Sequence, residues 1–192
     1  MTYKSQDKSL LLGFKEYLKQ NVDPEKANAT WSFYNKHLYL NDLYNYLRAR
    51  LGGKVIETGY GNYNSEIAIV LDRIEDKKYL DFFKTLFPKI KVEFHQLFYT
   101  AFWKSPVNHS DIYREILSLE MKTVKPKLMI TFGDYGVDVP DCEICQLDKE
   151  NFDRMLALMD QKERTPEEES EMTERKQVLW NNLRRIINYY VV

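Results

Sequence analysis

Apolar positions along the chain follow two regimes, and the change between them predicts the architecture. Up to residue 53 they recur at helical spacing: Leu10, Leu11, Phe14, Tyr17 and Leu18 form one stripe, and Leu40, Leu43, Leu47 and Leu51 form a second. The first helix should stop near Asn21, ahead of Asp23-Pro24; Asn41 lies near the predicted start of the second, and Gly52-Gly53 ends it. From Lys54 the pattern turns to short apolar runs alternating with helices. Residues 54–60 and 66–72 read as strand, turn, strand around Gly61 and Asn62. Positions 67 to 71, Ile-Ala-Ile-Val-Leu, are apolar throughout, as a strand buried on both faces requires.

The alternation continues. Residues 76–87 carry Tyr79, Leu80, Phe83, Leu86 and Phe87 on one helical face and stop at Pro88. A long strand is predicted over 90–103, a helix over 110–124 with Ile112, Ile116 and Leu119, a strand over 127–132 and a short strand over 142–147. A helix then begins at Asp148, with Phe152, Met155, Leu156 and Met159 facing inward. The final helix has the clearest start signal: Thr165 as N-cap, Pro166 in the first turn and Glu168 closing a capping box. Leu179, Leu183, Ile186, Ile187 and Tyr190 should pack it on the sheet. Strands alternating with helices predict a mainly parallel sheet with right-handed crossovers. With no repeat and no low-complexity linker, residues 1–192 read as a single domain, 1–53 a helical part and 54–192 the α/β core with its C-terminal helices.

Composition narrows the function classes. The chain has 28 Lys and Arg against 29 Asp and Glu, so its overall field will not draw it onto nucleic acid, and any such contact needs a local patch. Fourteen Tyr and ten Phe supply large rigid groups for a core or an interface. Residues 1–20 hold only a three-Leu run before Gly13 and Lys15, short of a signal segment or a membrane span, which predicts a cytoplasmic protein without membrane association. The two cysteines, Cys142 and Cys145, are spaced C-x-x-C, but zinc would need two more ligands, and His37, His95 and His109 are scattered. Asp141 and Glu143 oppose a reactive thiolate, so both cysteines read as small residues in a short strand. No metal and no cofactor is expected.

In open α/β sheets, ligands bind beyond the carboxyl ends of the strands, which here are Asp72-Arg73, Ala101 to Lys104, and Phe132-Gly133-Asp134. Phe98-Tyr99-Thr100-Ala101-Phe102-Trp103-Lys104, the following Ser105-Pro106, and Lys125-Pro126-Lys127-Leu128-Met129-Ile130-Thr131-Phe132-Gly133 resemble the middle of a uracil-DNA glycosylase of the family-4-like branch. In that family a strand ending in Tyr-Thr-Asn and a basic residue precedes a Pro-containing loop, a helix and a Pro-Lys-apolar-Thr-x-Gly strand. The segment from Lys176 to Leu183 resembles the family's closing helix. By order of elements the resemblance spans residues 66–192. It implies a three-layer α/β/α sandwich with a mainly parallel central sheet.

The departures bear on activity. Where the family has a Gly-rich turn holding a water-activating group, this chain has Leu71-Asp72-Arg73-Ile74-Glu75-Asp76, and Arg73 and Ile74 should crowd it. The base-reading Asn falls at Ala101, which has no side-chain hydrogen bond to offer. The His of the His-Pro-Ser loop is absent after His109, and two cysteines cannot hold the iron–sulfur cluster of some members.

The resulting expectation is a pseudoenzyme, a glycosylase-like fold reused as a binding or scaffold module with a protein partner or larger assembly. A low-glycine, Tyr/Asn/Lys-rich chain also suits a phage-encoded virion, assembly or replication-complex subunit, in which case it would occupy the host cytoplasm or virion. The alternative is an atypical DNA glycosylase, with Asp72 placing the water and Lys104 or His95 assisting. A third possibility is residual DNA binding through Arg73, Lys104 and the group Lys122, Lys125 and Lys127. Candidate binding residues are Arg73, Thr100, Trp103, Lys104, Gly133 and Asp134; Asp72 is the sole catalytic candidate.

Overall fold

The computed structural model describes residues 3–73, 77–106 and 108–191. Two helices open the chain, α1 (Tyr3–Asn21) and α2 (Pro24–Arg50). The Asp23-Pro24 pair that stops α1 also starts α2. The Asp23 carboxylate accepts from the N–H groups of Glu25 and Lys26, and Pro24 occupies a first-turn position where no N–H is missed. The expected start near Asn41 is therefore corrected. No single stripe marks residues 24–39 because their apolar groups face different ways: Trp31 and Tyr34 pack on Phe14 of α1, and Phe33 on Tyr63, while Leu40, Leu43 and Leu47 reach the core. Gly52 and Gly53, both at positive φ, end the helix as expected.

The α/β part runs β1 (Tyr60–Gly61), β2 (Ile67–Leu71), α3 (Lys77–Leu86), β3 (Phe98–Ala101), α4 (Ser110–Val124), β4 (Leu128–Thr131), β5 (Glu143–Gln146), α5 (Lys149–Asp160) and α6 (Pro166–Val191). The sheet order is β1-β3-β2-β4-β5, parallel throughout except for β1 against β3. Ile69 lies beside Tyr99 on one side and Ile130 on the other.

Two predicted strands shrink. Of residues 54–60 only Tyr60 joins the sheet, paired with β3 and not with β2. Before it, Ile56 drops into the core and the Glu57 N–H bonds the Lys104 carbonyl, so the segment is anchored without a ladder. Of residues 90–103 only Phe98–Ala101 is strand. Upstream, Phe87–Ile90 and Phe94–Gln96 form 3₁₀ turns around Lys91 in the left-handed region. Pro88 has no N–H for a ladder, and local bonds such as Val92 N–H to the Phe87 carbonyl satisfy the backbone instead.

Alternation along the strands divides the core. Ile67, Ile69, Leu71, Leu128 and Ile130 face Phe83, Phe87, Phe152 and Leu183 of the α3/α5/α6 side. Ala68, Val70, Phe98 and Met129 face Leu40, Leu47, Tyr113 and Leu117 of α2 and α4. Helices thus cover both faces, and each fully buried large side chain contributes about 1.5–3 kcal/mol. The capping box predicted for α6 forms in both directions, Glu168 N–H to Thr165 Oγ1 at 3.2 Å and Thr165 N–H to Glu168 Oε2 at 2.9 Å. The inward placing expected of Leu10, Leu11 and Tyr190, and of Ile74 in its loop, lies outside the described residues.

Candidate functional site

The first parallel strand, β2, has its successor β3 on one side and β4 on the other. The chain therefore changes winding direction between β2 and β4, and a ligand crevice is expected beyond their carboxyl ends. Pairing continues past the strands on the β3 side: the Phe102 N–H bonds the Leu71 carbonyl and the Trp103 N–H bonds the Asp72 carbonyl, which brings Trp103 beside Asp72.

Both oxygens of Asp72 accept a hydrogen bond. One carboxylate oxygen accepts from the Tyr135 hydroxyl at 2.7 Å and the other from the Lys149 ammonium at the start of α5. Burial, with the Asp72 carboxylate second, pushes the Tyr135 hydroxyl well above the ordinary tyrosine range, so it stays protonated and donating. The Tyr135 ring stacks on Phe102 with centroids 4.6 Å apart and planes 8° from parallel. The turn after β4 brings it there. Asp134, exposed, accepts from the Gly136 N–H at 2.9 Å, Gly136 takes φ 59°, and Arg114 Nε bonds the Tyr135 carbonyl at 3.0 Å. Gly133 leaves the space for the ring, since a Cβ there would lie 3.2 Å from it.

What remains open is a cavity of about 260 Å³ lined by Asp72, Arg73, Tyr79, Trp103, Phe132 and Lys149 together with Leu71. Trp103 is half-buried and packs edge-on against Phe102 and Tyr113. Arg73 supplies a cation at the same opening. A larger cavity, about 880 Å³, lies between α3 and α6, away from the strand ends.

The remaining predicted residues do not join this rim. Lys104 is completely buried. Its ammonium bonds both oxygens of Glu120 (2.6 and 2.8 Å) and the Thr100 hydroxyl. Thr100, also buried, donates in turn to Glu120, as does the Tyr44 hydroxyl at 2.6 Å, and Tyr44 accepts from the Gly59 N–H at 2.8 Å. Burial lowers the Lys104 pKa and raises that of Tyr44; Glu120 opposes the first shift and adds to the second. Lys104 and Thr100 are thus core residues, and the expectation that they touch a ligand or DNA is corrected. Ala101 is buried and contributes no polar side-chain atom.

The lysine group is also separated from the rim. Lys122 and Lys125 end α4 and Lys127 directly precedes β4, at the opposite end of the sheet, where Lys127 pairs with Glu66 at 2.6 Å. His95, exposed in the turn before β3, belongs to that far end as well and cannot assist Asp72. His109 caps α4 by position without a side-chain cap bond and packs against Tyr113.

Sequence reasoning missed Glu120, Tyr44, Tyr135 and Lys149. Glu120 had a signal, an acid inside the helical stripe of Tyr113, Ile116, Leu117, Met121 and Val124, where a charge needs a buried partner. Lys149 had none, because its partner is brought close only by the fold. Cys142 and Cys145 pack on opposite faces of the sheet. Burial and Glu143 push the Cys142 thiol up to about 11 and raise that of Cys145, so neither is an activated thiolate. Among the described residues there is no group of three or more potential metal ligands and no helix long and apolar enough to cross a membrane. The fold and rim define a mixed α/β protein with an aromatic-lined strand-end crevice. No family model matches the chain, and no curated protein matches it.

Proposed function

We propose that the chain is a uracil-DNA glycosylase-like domain without glycosylase activity that serves as a protein-binding or scaffold module, of the kind used in a virion or replication complex. The observation that carries this reading is the state of Asp72. Asp72, the acid lining the strand-end crevice among the described residues, is spanned by Lys149 and Tyr135, and the Phe102–Tyr135 stack occupies space beside it. A water-activating carboxylate must aim an oxygen at the water, and here both oxygens are already held by protein donors. Ala101 leaves a base edge without a hydrogen-bonding partner at the position where the resembled family reads it, a loss that costs such sites about 10⁴-fold or more in discrimination.

The order of elements from β2 to α6 and the parallel sheet support the glycosylase-like reading of the fold. General DNA binding is less well supported, since Arg73 and the lysine group lie at opposite ends of the sheet and Lys104 is buried. A base-excision assay on single- and double-stranded oligonucleotides carrying uracil or other damaged bases tests the proposal. No product above background is expected. Excision that disappears in Asp72→Ala would establish the alternative, an atypical glycosylase.

A further inference from the structure

We propose that the open edge of β5 pairs with β5 of a second copy of this chain, antiparallel, about a twofold axis passing at Cys145. Glu143 N–H bonds the Lys127 carbonyl and Leu147 N–H bonds the Thr131 carbonyl, so the odd-numbered residues of the strand turn their backbone toward β4. In a parallel ladder the intervening residues then point the other way, which aims the N–H and carbonyl groups of Ile144 and Gln146 out of the sheet. Neither residue has a backbone partner on that side among the described residues. Glu143, Ile144 and Gln146 are exposed, Ile144 by 42%. β5 carries no lysine, proline or bulge to blunt its edge, and its one charge, Glu143, has its backbone turned towards β4.

The occupant follows from the pattern of groups. Only residues whose backbone points outward can exchange hydrogen bonds across a new antiparallel pair, which limits the register to Ile144 and Gln146 facing their counterparts. With Ile144 opposite Gln146 of the second copy, and the reverse by symmetry, both outward residues of each copy are satisfied. Glu143 then faces Leu147, leaving no like charges opposed. The other self-pairings, Ile144 on Ile144 or Gln146 on Gln146, leave an outward residue against the end of the strand. A net charge of −1 offers little repulsion to association of two copies.

This register has a chemical signature. Cys145 faces Cys145 in a non-hydrogen-bonded pair, where Cα atoms are about 4.5 Å apart, within the span a disulfide bridges. Cys142 lies before the strand and packs on the other face of the sheet, so it serves as an internal control. The proposal is independent of what the strand-end crevice binds.

The test treats the full chain with diamide, which accepts the two electrons and two protons released as two thiols join, alongside sedimentation equilibrium under reducing conditions from low to high micromolar concentration. The expected result is reversible dimerisation and a covalent dimer that is lost in Cys145→Ser and retained in Cys142→Ser. Ile144→Pro removes an outward N–H that takes no part in the ladder to β4, and self-association should weaken at least about tenfold. Ile144→Lys, an edge charge that leaves the backbone unchanged, should do the same if the proline variant misfolds. A monomer at every concentration with no Cys145-linked product overturns the proposal. So does association that survives folded Ile144→Pro or Ile144→Lys.

Discussion

Two lysine–carboxylate pairs stabilise the same protein in opposite settings. Lys104 and Glu120 are both at 0% exposure and share a closed network with Thr100 and Tyr44, whereas Lys149 and Asp72 are 45% and 31% exposed at the mouth of the crevice. The charges are alike and the consequences are not. Deep in the helix-covered face, each member of the first pair would be an uncompensated ion without the other, so the pair fixes how α4, β3 and α2 fit together. At the crevice water screens the second pair, so losing Lys149 costs little stability, while the Tyr135 hydroxyl still holds Asp72.

The largest effect should come from breaking the buried pair. Glu120→Ala leaves Lys104 buried without its counter-ion and should cost about 3–5 kcal/mol in urea unfolding. The joint change Lys104→Met with Glu120→Leu should recover part of that loss, because it leaves no stranded charge, while the Thr100 and Tyr44 hydroxyls still lose their acceptor. If both variants lose the same stability, the stranded lysine charge is not the reason for the loss.

Alkaline unfolding sharpens the same contrast. Burial raises the hydroxyl pKa values of Tyr44, Tyr99 and Tyr135 above the ordinary 10.0. Above pH 10 the unfolded chain releases these protons while the native protein retains them. Native stability contributed by these groups is therefore full below pH 10 and falls as pH rises beyond it. The contribution of these three hydroxyls should be level from neutral pH to about 10 and then descend, so Tyr135→Phe should descend more gently above pH 10 than the parent chain; a slope unchanged by that variant would remove Tyr135 from the account.

At the crevice the effects are smaller. Tyr135→Phe keeps the stack on Phe102 but removes the bond to Asp72, with an expected loss of about 1 kcal/mol. Lys149→Met should change stability by less than about 1 kcal/mol, since both partners are substantially exposed and screened. Equal losses for Lys149→Met and Glu120→Ala would erase the distinction between the two pairs.

The extent to which each region was legible follows the range of its interactions. The all-apolar run of β2, the helix of α4 and the capping box of α6 depend on neighbours a few positions away, and the spacing of residue types was enough to place them. The start of α2 was hidden because its first half packs aromatics in several directions, and β3 was overextended because apolar residues before it are held in 3₁₀ turns. At the candidate site Asp72, Arg73 and Trp103 lie at the strand ends, while Thr100 and Lys104, three positions before Trp103 and one after it, turn into the core.

The sequence by itself determined the succession of elements, because hydrophobic period and capping chemistry act over a turn or a strand. It also determined that Ala101 offers no side-chain hydrogen bond. Only the tertiary structure decided which charges meet: Lys149 reaches Asp72 across 77 positions and Tyr44 reaches Glu120 across 76. Electrostatic pairing depends on distance in space and on exclusion of water, and neither quantity is written in the order of residues.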